Sequence, residues 1–221
     1  IYKKVDKMRY LIVCGGKIDK EFGLNEIKTD GIDAIIAADS GMDFLYENGV
    51  TPDIIVGDFD SATTKALEFF ERKGQTEIHR LNPIKDDTDT EYAIRLAIRE
   101  GARSIVVLGA TGSRIDHVLG NISLLGIGLE SGTDISIIDT NNRIRMSDKP
   151  VTIEKSAQYG RFVSLIAVTD DNEVSLRGFK YPVTDYSFDR FTSLGISNEI
   201  IDDYAVIDIH RGKFIIIESK D

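Results

Sequence analysis

The feature that most constrains the fold is a change in hydrophobic pattern near residue 140. Before it, short apolar runs alternate with amphipathic segments, which is typical of a mostly parallel sheet covered by helices. After it, the helical pattern stops, and short apolar runs alternate with turn residues. We therefore predict a Rossmann-like α/β domain over residues 8–142 and a small all-β sandwich domain over residues 143–221. Residues 1–7 are assigned to neither domain.

The individual elements follow from the same pattern. The first half has predicted strands at Arg9–Cys14, Ala34–Ala38, Ile54–Val56, Ser104–Leu108 and Ile135–Ile138, and predicted helices at Asp43–Asn48, Thr63–Lys73, Thr88–Arg99 and Arg114–Gly126. The second half has predicted strands at Val151–Ile153, Phe162–Val168, Glu173–Arg177, Ala205–His210 and Lys213–Glu218. Ligands of parallel sheets usually bind beyond the carboxyl ends of the strands, so the loops there are the first place to look for a site.

Composition excludes several classes of function. The 221 residues include 27 Lys and Arg against 37 Asp and Glu, a formal net charge of −10, which argues against a nucleic-acid-binding surface. No apolar run approaches the roughly 20 residues of a membrane-spanning helix, so no membrane partner is expected. The single cysteine, Cys14, has no partner for an internal disulfide and is interpreted as a small buried hydrophobe. We expect a cytoplasmic protein.

Two acids follow the predicted strand Ile54–Val56. Asp58 and Asp60 flank Phe59, and in extended backbone their side chains point to the same side. Neighbouring carboxylates repel each other unless a cation neutralises them. Carboxylate oxygens suit Mg²⁺, which usually bridges to substrate phosphates. The pair therefore indicates a Mg²⁺ site, and the alternative is a solvated turn in which Asp60 caps the next helix.

The acidic segment from Asp86 to Glu91 has two interpretations. Thr88 and Glu91 match a capping box, and acids in a first helical turn are favoured by the helix dipole. On this interpretation the segment is simply the start of a helix. The cap leaves Asp86 and Asp89 unexplained as an additional pair of acids.

A glycine-rich loop, Gly109–Arg114, follows the predicted strand Ser104–Leu108 and begins a helix. Glycines let the backbone approach an anion, and the free amides of a helix start point at it. Arg114 can add a forked contact to phosphate oxygens. Asp116 and His117 come next and can orient a nucleophile or a metal-bound water, although a structural surface role is the alternative for His117.

A fourth strand end carries Asp39, directly after the predicted strand Ala34–Ala38. If the strands are parallel, the four loops lie along one edge of the sheet. Such convergence is what a site for a nucleotide and a metal ion requires.

Together these segments resemble the thiamine pyrophosphokinase family. The matching stretches are Ala38–Gly41, Pro52–Ser61, Lys85–Glu91, Gly109–His117 with Asn121, and Ser193–Glu199. They occur in the family's order and span nearly the whole chain from Met8. The combination of Gly-Asp-Phe-Asp-Ser with Asp-x-Thr-Asp is specific, whereas either alone is modest.

The resemblance implies an enzyme that transfers the diphosphate of ATP to the hydroxyl of thiamine, giving thiamine diphosphate and AMP. It implies Mg²⁺ as the metal and a homodimer in which the β-domain of one subunit helps to form the thiamine pocket of the other. The implied catalytic residues are Asp58, Asp60, Asp89, Arg114 and Asp116, of which Asp58, Asp60 and Asp89 are the metal ligands. The implied ATP contacts are Asp39, Ser40, Gly41, Thr111, Gly112, Ser113, Arg114 and His117, and the implied thiamine contacts are Asp86, Asp116, Ser197 and Asn198.

One departure from the family concerns the thiamine ring. Some members place a tryptophan near it from the last hairpin, and this chain has no tryptophan. Phe214 offers an apolar face there, with a core position as the alternative. Two other functions remain open: a diphosphotransferase of the same architecture acting on another acceptor, such as a hydroxymethylpterin, and a non-enzymatic sensor of thiamine or nucleotide.

Overall fold

The structure is a computed structural model, and it describes residues 8–59, 63–82 and 87–221. The chain divides into two compact units, Ile1–Thr140 and Asn141–Asp221, which we call unit 1 and unit 2. Among the described residues, no helix has the length and apolar character that crossing a membrane requires.

Unit 1 alternates strands and helices. Its strands are β1 (Arg9–Val13), β2 (Ala34–Ala38), β3 (Ile54–Gly57), β4 (Glu77–Arg80), β5 (Ser104–Leu108) and β6 (Asp134–Ile138). Its helices are α1 (Lys20–Ile27), α2 (Gly41–Glu47), α3 (Thr64–Lys73), α4 (Asp89–Arg99), α5 (Ile115–Ser123) and α6 (Leu125–Ser131). These strands pair in parallel in the order β6-β5-β1-β2-β3-β4, which confirms the predicted α/β class.

The strand order creates a crevice between β1 and β5. From β1 the chain passes through α1 to β2 on one side, whereas from β5 it passes through α5 and α6 to β6 on the other. The loops after these two neighbouring strands therefore diverge. In open parallel sheets such a switch point is the usual ligand site.

Two elements of unit 1 were missed, and one predicted helix was too long. The α1 sequence lacks a clear apolar face, and its Gly23 is buried where a Cβ would collide with Ile18 and Phe44. The short strand β4 is only partly buried. The predicted helix Arg114–Gly126 is two helices that meet at Leu124, where Ser123 Oγ donates to Leu119 O, 3.0 Å away. Such back-bonding weakens a helix locally.

Unit 2 is antiparallel. Its strands are β7 (Asn142–Ser147), β8 (Val151–Glu154), β9 (Phe162–Ala167), β10 (Glu173–Arg177), β11 (Val183–Ser187), β12 (Asn198–Glu199), β13 (Tyr204–Arg211) and β14 (Phe214–Ser219). One set pairs in the order β12-β9-β14-β7 and the other in the order β11-β10-β13-β8. Apolar side chains of both sets form one core. The predicted all-β sandwich is confirmed, and β7, β11 and β12 are additions to the predicted strands.

Two buried groups stabilise unit 2 in different ways. Phe214 is fully buried in the core, so it packs the fold and offers no exposed face. Glu218 is also fully buried, and its carboxylate receives four hydrogen bonds: two from Arg143, one from Arg145 and one from the Tyr159 amide, at 2.7–2.9 Å. A buried carboxylate is tolerated when it is paired and hydrogen-bonded in this way.

Candidate active site

A cavity of about 830 Å³ lies at the carboxyl ends of the unit 1 strands. Four chain segments line it: the loop after β1, the loop after β2, the start of α4, and the loop after β5 together with the helix α5 that follows it. Of the predicted site residues, it brings together Asp39, Ser40, Asp89, Thr111, Gly112, Ser113, Arg114, Asp116 and His117. Its size is that of pockets that bury a small organic ligand.

The loops after β1 and β5 are joined through their main chains. The Gly16 amide donates to Gly109 O at 2.8 Å, and the Lys17 amide donates to Thr111 O at 3.2 Å. A Cβ at Gly16 would collide with the carbonyl oxygens of Gly109 and Thr111. Only glycine permits this approach. We call these contacts the β1–β5 loop junction. It could not be predicted from the sequence, because Gly15-Gly16 matches no phosphate-binding motif.

The side chains of Asn121 and Asp139 bind the loop after β5. Asn121 Nδ2 donates to Ala110 O at 2.8 Å, and Thr111 Oγ1 donates to Asp139 Oδ2 at 2.9 Å. Asp139 follows β6, and the sequence analysis did not select it because it stands in no motif. These contacts shape a loop whose amides can face an anion.

Three acids form a cluster: Asp39 follows β2, Asp58 follows β3, and Asp89 begins α4. Carboxylate oxygens of Asp39, Asp58 and Asp89 lie within 4.8 Å of one another, and all three residues are partly buried. Hard oxygen donors at this spacing fit Mg²⁺. The cluster brings together Asp58 and Asp89, two of the predicted metal ligands, and it adds Asp39, which was predicted as an ATP contact.

The backbone after β3 is not extended through Asp58 and Phe59, contrary to the prediction. Strand β3 ends at Gly57, and Phe59 has a left-handed backbone with a φ of 65°. Asp58 therefore lies past the strand, and strand alternation does not orient it. Asp39 also has a positive φ, 48°, so left-handed backbone occurs at one of the acids and directly after another. The predicted site residues Asp60 and Asp86 lie outside the described residues.

Thr88 caps the start of α4, which is one half of the predicted capping box. Thr88 Oγ1 accepts from the Glu91 amide at 3.2 Å, while the Glu91 carboxylate pairs with Arg95. Asp89 is the first residue of this helix, so it lies where the helix dipole favours an anion and also belongs to the acid cluster. The two interpretations of this segment are thus compatible.

Arg114 and Asp116 form a two-pronged ion pair at the start of α5. Arg114 Nη2 lies 2.6 Å from Asp116 Oδ2, and Arg114 Nε lies 3.3 Å from Oδ1. The hydrogen bond from Arg114 lowers the pKa of Asp116 from 3.8 to about 2, and the same pairing raises the pKa of Arg114. Both side chains are about two-thirds exposed. Arg114 is also the N-cap residue and makes no side-chain cap.

Gly41 and Cys14 have structural roles. Gly41 is buried and lies outside the cavity lining; a Cβ there would collide with Val13 O, so glycine allows α2 to pack on β1. Cys14 is buried with its Sγ 3.4 Å from Thr90 Oγ1, and burial raises the pKa of its thiol to about 11. The interpretation of Cys14 as an inert, buried small side chain is confirmed.

Known proteins match both units. The family model described as "Thiamin pyrophosphokinase, catalytic domain" matches residues 28–137, and the one described as "Thiamin pyrophosphokinase, vitamin B1 binding domain" matches residues 150–214. A thiamine pyrophosphokinase of Bacillus subtilis is 35% identical over 188 residues, which are 84% of this chain and 87% of that protein. The chain belongs to the thiamine pyrophosphokinase family.

Solved structures of thiamine pyrophosphokinases have the same architecture. The Bacillus subtilis structure superposes with a TM-score of 0.87 at 32% identity, covering 96% of this chain and 99% of that one. The yeast structure, at 17% identity and a TM-score of 0.79 over 98% and 88% of the two chains, shares the fold. Both the resemblance found in the sequence and the assignment to this class of transferases are confirmed, and nothing supports the pterin alternative.

The predicted thiamine contacts of this family member in unit 2 differ in their surroundings. Ser197 is exposed, has a φ of 61° and donates its amide to Ser164 Oγ at 3.0 Å. Asn198 is buried, and its side-chain amide exchanges two hydrogen bonds with the main chain of Tyr181 and accepts one from the Glu199 amide. The Asn198 side chain thus fixes the loop, and Ser197 is the member of the pair with an exposed side chain.

Proposed function

We propose that this chain catalyses the transfer of the terminal diphosphate of ATP to the hydroxyl of thiamine, with Mg²⁺, giving thiamine diphosphate and AMP. Family membership supports the reaction. The observation in the fold that carries it is that Asp39 and Asp89, two acids of the cluster, line the same cavity as a glycine-containing loop with Arg114. Such a site can hold a metal beside a chain of phosphates.

Asp39, Asp58 and Asp89 are the described residues that would hold Mg²⁺. When bound, the ion neutralises phosphate charge and polarises phosphoryl oxygens. The loop Gly109–Ser113, together with the start of α5, would bind the diphosphate that moves. Transfer of this kind depends mainly on positioning and charge neutralisation.

Asp116 would orient the thiamine hydroxyl. Its pKa of about 2 keeps it ionised at neutral pH, so it can accept a hydrogen bond from the hydroxyl. Even its ordinary pKa of 3.8 makes it a weak base, because general bases work best with a pKa near the working pH. A phosphate arriving at Arg114 would compete for the guanidinium that now binds Asp116, and would thereby free the carboxylate for the acceptor.

The products test the reaction. The protein incubated with ATP, Mg²⁺ and thiamine should yield thiamine diphosphate and AMP in equal amounts, measured by mass spectrometry. Attack on the β-phosphorus makes AMP the leaving group. If ADP and thiamine monophosphate are the initial products, the enzyme is instead a γ-phosphoryl kinase.

The acid cluster is tested by Asp58→Asn. We expect activity to fall by about 100-fold or more, and the rise in melting temperature that Mg²⁺ gives the wild type to disappear. Asp30→Asn, at an exposed acid of unit 1 outside the cluster, is the matched control and should retain both. A folded Asp58→Asn protein with normal activity at ordinary Mg²⁺ would rule out the metal role.

A homodimer with composite active sites is part of the proposal. Exposed apolar side chains support a subunit interface. They are Ile115 and Leu119 on α5 of unit 1, and Leu194 and Ile196 beside Ser197 in unit 2. Such side chains usually mark interaction surfaces when they group together. A symmetric dimer would then contain two equivalent sites.

Subunit complementation tests this arrangement. Asp58→Asn and Ser197→Lys, the latter placing a positive charge against the cationic thiamine ring, should each be inactive. After random exchange about half the dimers are mixed, and each mixed dimer has one intact site, so activity should return to about a quarter of wild type. Demonstrated exchange without activity would show that each site is made by one chain.

The cytoplasmic location stays a prediction, to be checked by cell fractionation.

A further inference from the structure

Lys17 lies at the β1–β5 loop junction and lines the cavity. Its amide donates to Thr111 O, so its backbone is tied to the loop expected to bind phosphate. Gly15 and Gly16 precede it, and neither has space for a Cβ: Gly15 would meet Ser40 and Gly16 the loop after β5. The position of the Lys17 backbone is therefore set by contacts that leave little freedom.

The charges lining the cavity make Lys17 distinctive. The described lining contains four acids, Asp39, Asp89, Glu91 and Asp116, but only two residues with a permanent positive charge, Lys17 and Arg114. Arg114 is engaged with Asp116. Within the described residues no hydrogen bond or ion pair occupies the ammonium group of exposed Lys17. An anion entering this cavity therefore meets one uncommitted cation.

We propose that Lys17 is a phosphate-binding residue of this site, contacting the polyphosphate of ATP. The identity of the ligand rests on the proposed function. A lysine ammonium binds phosphate as a compact point charge, without the fixed fork of arginine. Lys17 would thus hold the nucleotide while Arg114 changes partners, and its contribution should appear in nucleotide binding more than in turnover.

The experiment compares Lys17→Met with two other variants. Lys17→Arg keeps the charge, and Lys20→Met removes a neighbouring exposed charge of α1 that does not line the cavity. Calorimetry measures the binding of ATP, AMP and adenosine, and steady-state kinetics give KM for ATP and thiamine. We expect Lys17→Met to bind ATP about tenfold more weakly, AMP less affected and adenosine unchanged. Lys17→Arg should restore most of the affinity, and Lys20→Met should resemble wild type.

Two results would overturn the proposal. One is that Lys17→Met binds ATP as Lys20→Met does; the other is an equal weakening of ATP and adenosine, which would assign Lys17 to loop structure. Failure of the proposed function looks different. If wild type makes no thiamine diphosphate yet ATP binding depends on Lys17, the phosphate role stands and the acceptor is wrong. If Lys17→Met converts thiamine normally with the wild-type KM for ATP, the proposed function stands and the phosphate role of Lys17 is wrong.

Discussion

The two units use their polar side chains differently. In unit 1, acids and a glycine-containing loop from separate strand ends meet around one cavity, and the ion pair of Arg114 with Asp116 is largely exposed. In unit 2, two buried side chains have their polar atoms hydrogen-bonded: Asn198 to main-chain groups, and Glu218 to two arginines. Polar residues that look similar in sequence thus gather at the candidate active site in one unit and stabilise the fold in the other.

Strand direction explains the difference. The carboxyl ends of parallel strands share one edge, so polar residues after β1, β2, β3 and β5 are brought together. In an antiparallel sheet successive strand ends lie at opposite edges, so residues after consecutive strands do not converge. A polar residue in such a sheet is more often held by its local partners.

The largest expected effect comes from Glu218. Replacing it with Ala leaves Arg143 and Arg145 without their buried partner, so we expect the free energy of unfolding to fall by about 3–5 kcal/mol. Urea denaturation measures this loss. The matched control is Glu173→Ala, whose pair with half-exposed Arg211 lies at the surface and should contribute far less. If the two variants lose equal stability, Glu218 does not anchor unit 2.

A smaller effect separates Asn198 from Ser197. Asn198→Ala leaves the Tyr181 and Glu199 main-chain groups unpaired, which costs about 1–3 kcal/mol of stability. Ser197→Ala keeps the hydrogen bond from its backbone amide to Ser164 Oγ and should unfold like the wild type. Under the proposed function, both variants should raise KM for thiamine and leave KM for ATP unchanged. Equal stability of the two variants would contradict the structural role of Asn198.

The smallest effect concerns Asp116 and pH. The pKa of Asp116 is lowered from 3.8 to about 2. Its pair with Arg114 therefore stabilises the fold fully when the pH is above about 3.8, and this contribution is lost as the pH falls toward 2. Both groups are exposed, so the effect on stability is slight and screened by salt. In Arg114→Met, NMR titration should show the Asp116 pKa returning toward 3.8. Arg95→Met, which breaks the separate pair with Glu91, should leave it low.

Much of the fold was predictable because buried strands carry continuous apolar runs. The class of each unit follows from that pattern, whereas α1 was missed because close packing at Gly23, and not a regular apolar face, fixes it. In the candidate site, Asp58 and Asp89 were selected because acids after apolar runs are conspicuous. Their meeting with Asp39 depends on strand order, which the sequence does not state.

Other features depended on contacts distant in sequence. Asp139 binds Thr111 across 28 residues, and Asn198 binds Tyr181 across 17. Neither stands in a motif that reveals its partner. Lys17 was missed for another reason: a lysine after two glycines has no special pattern, and its relation to the loop after β5 exists only once β1 and β5 are neighbours.

The opening of the β1–β5 loop junction can be measured by hydrogen exchange. Its two hydrogen bonds use the amides of Gly16 and Lys17, although the residues themselves are exposed. A bonded amide exchanges its hydrogen for deuterium only when the bond opens. The exchange rate of these two amides therefore measures how often the loops after β1 and β5 separate. Each separation opens the part of the cavity that these loops line.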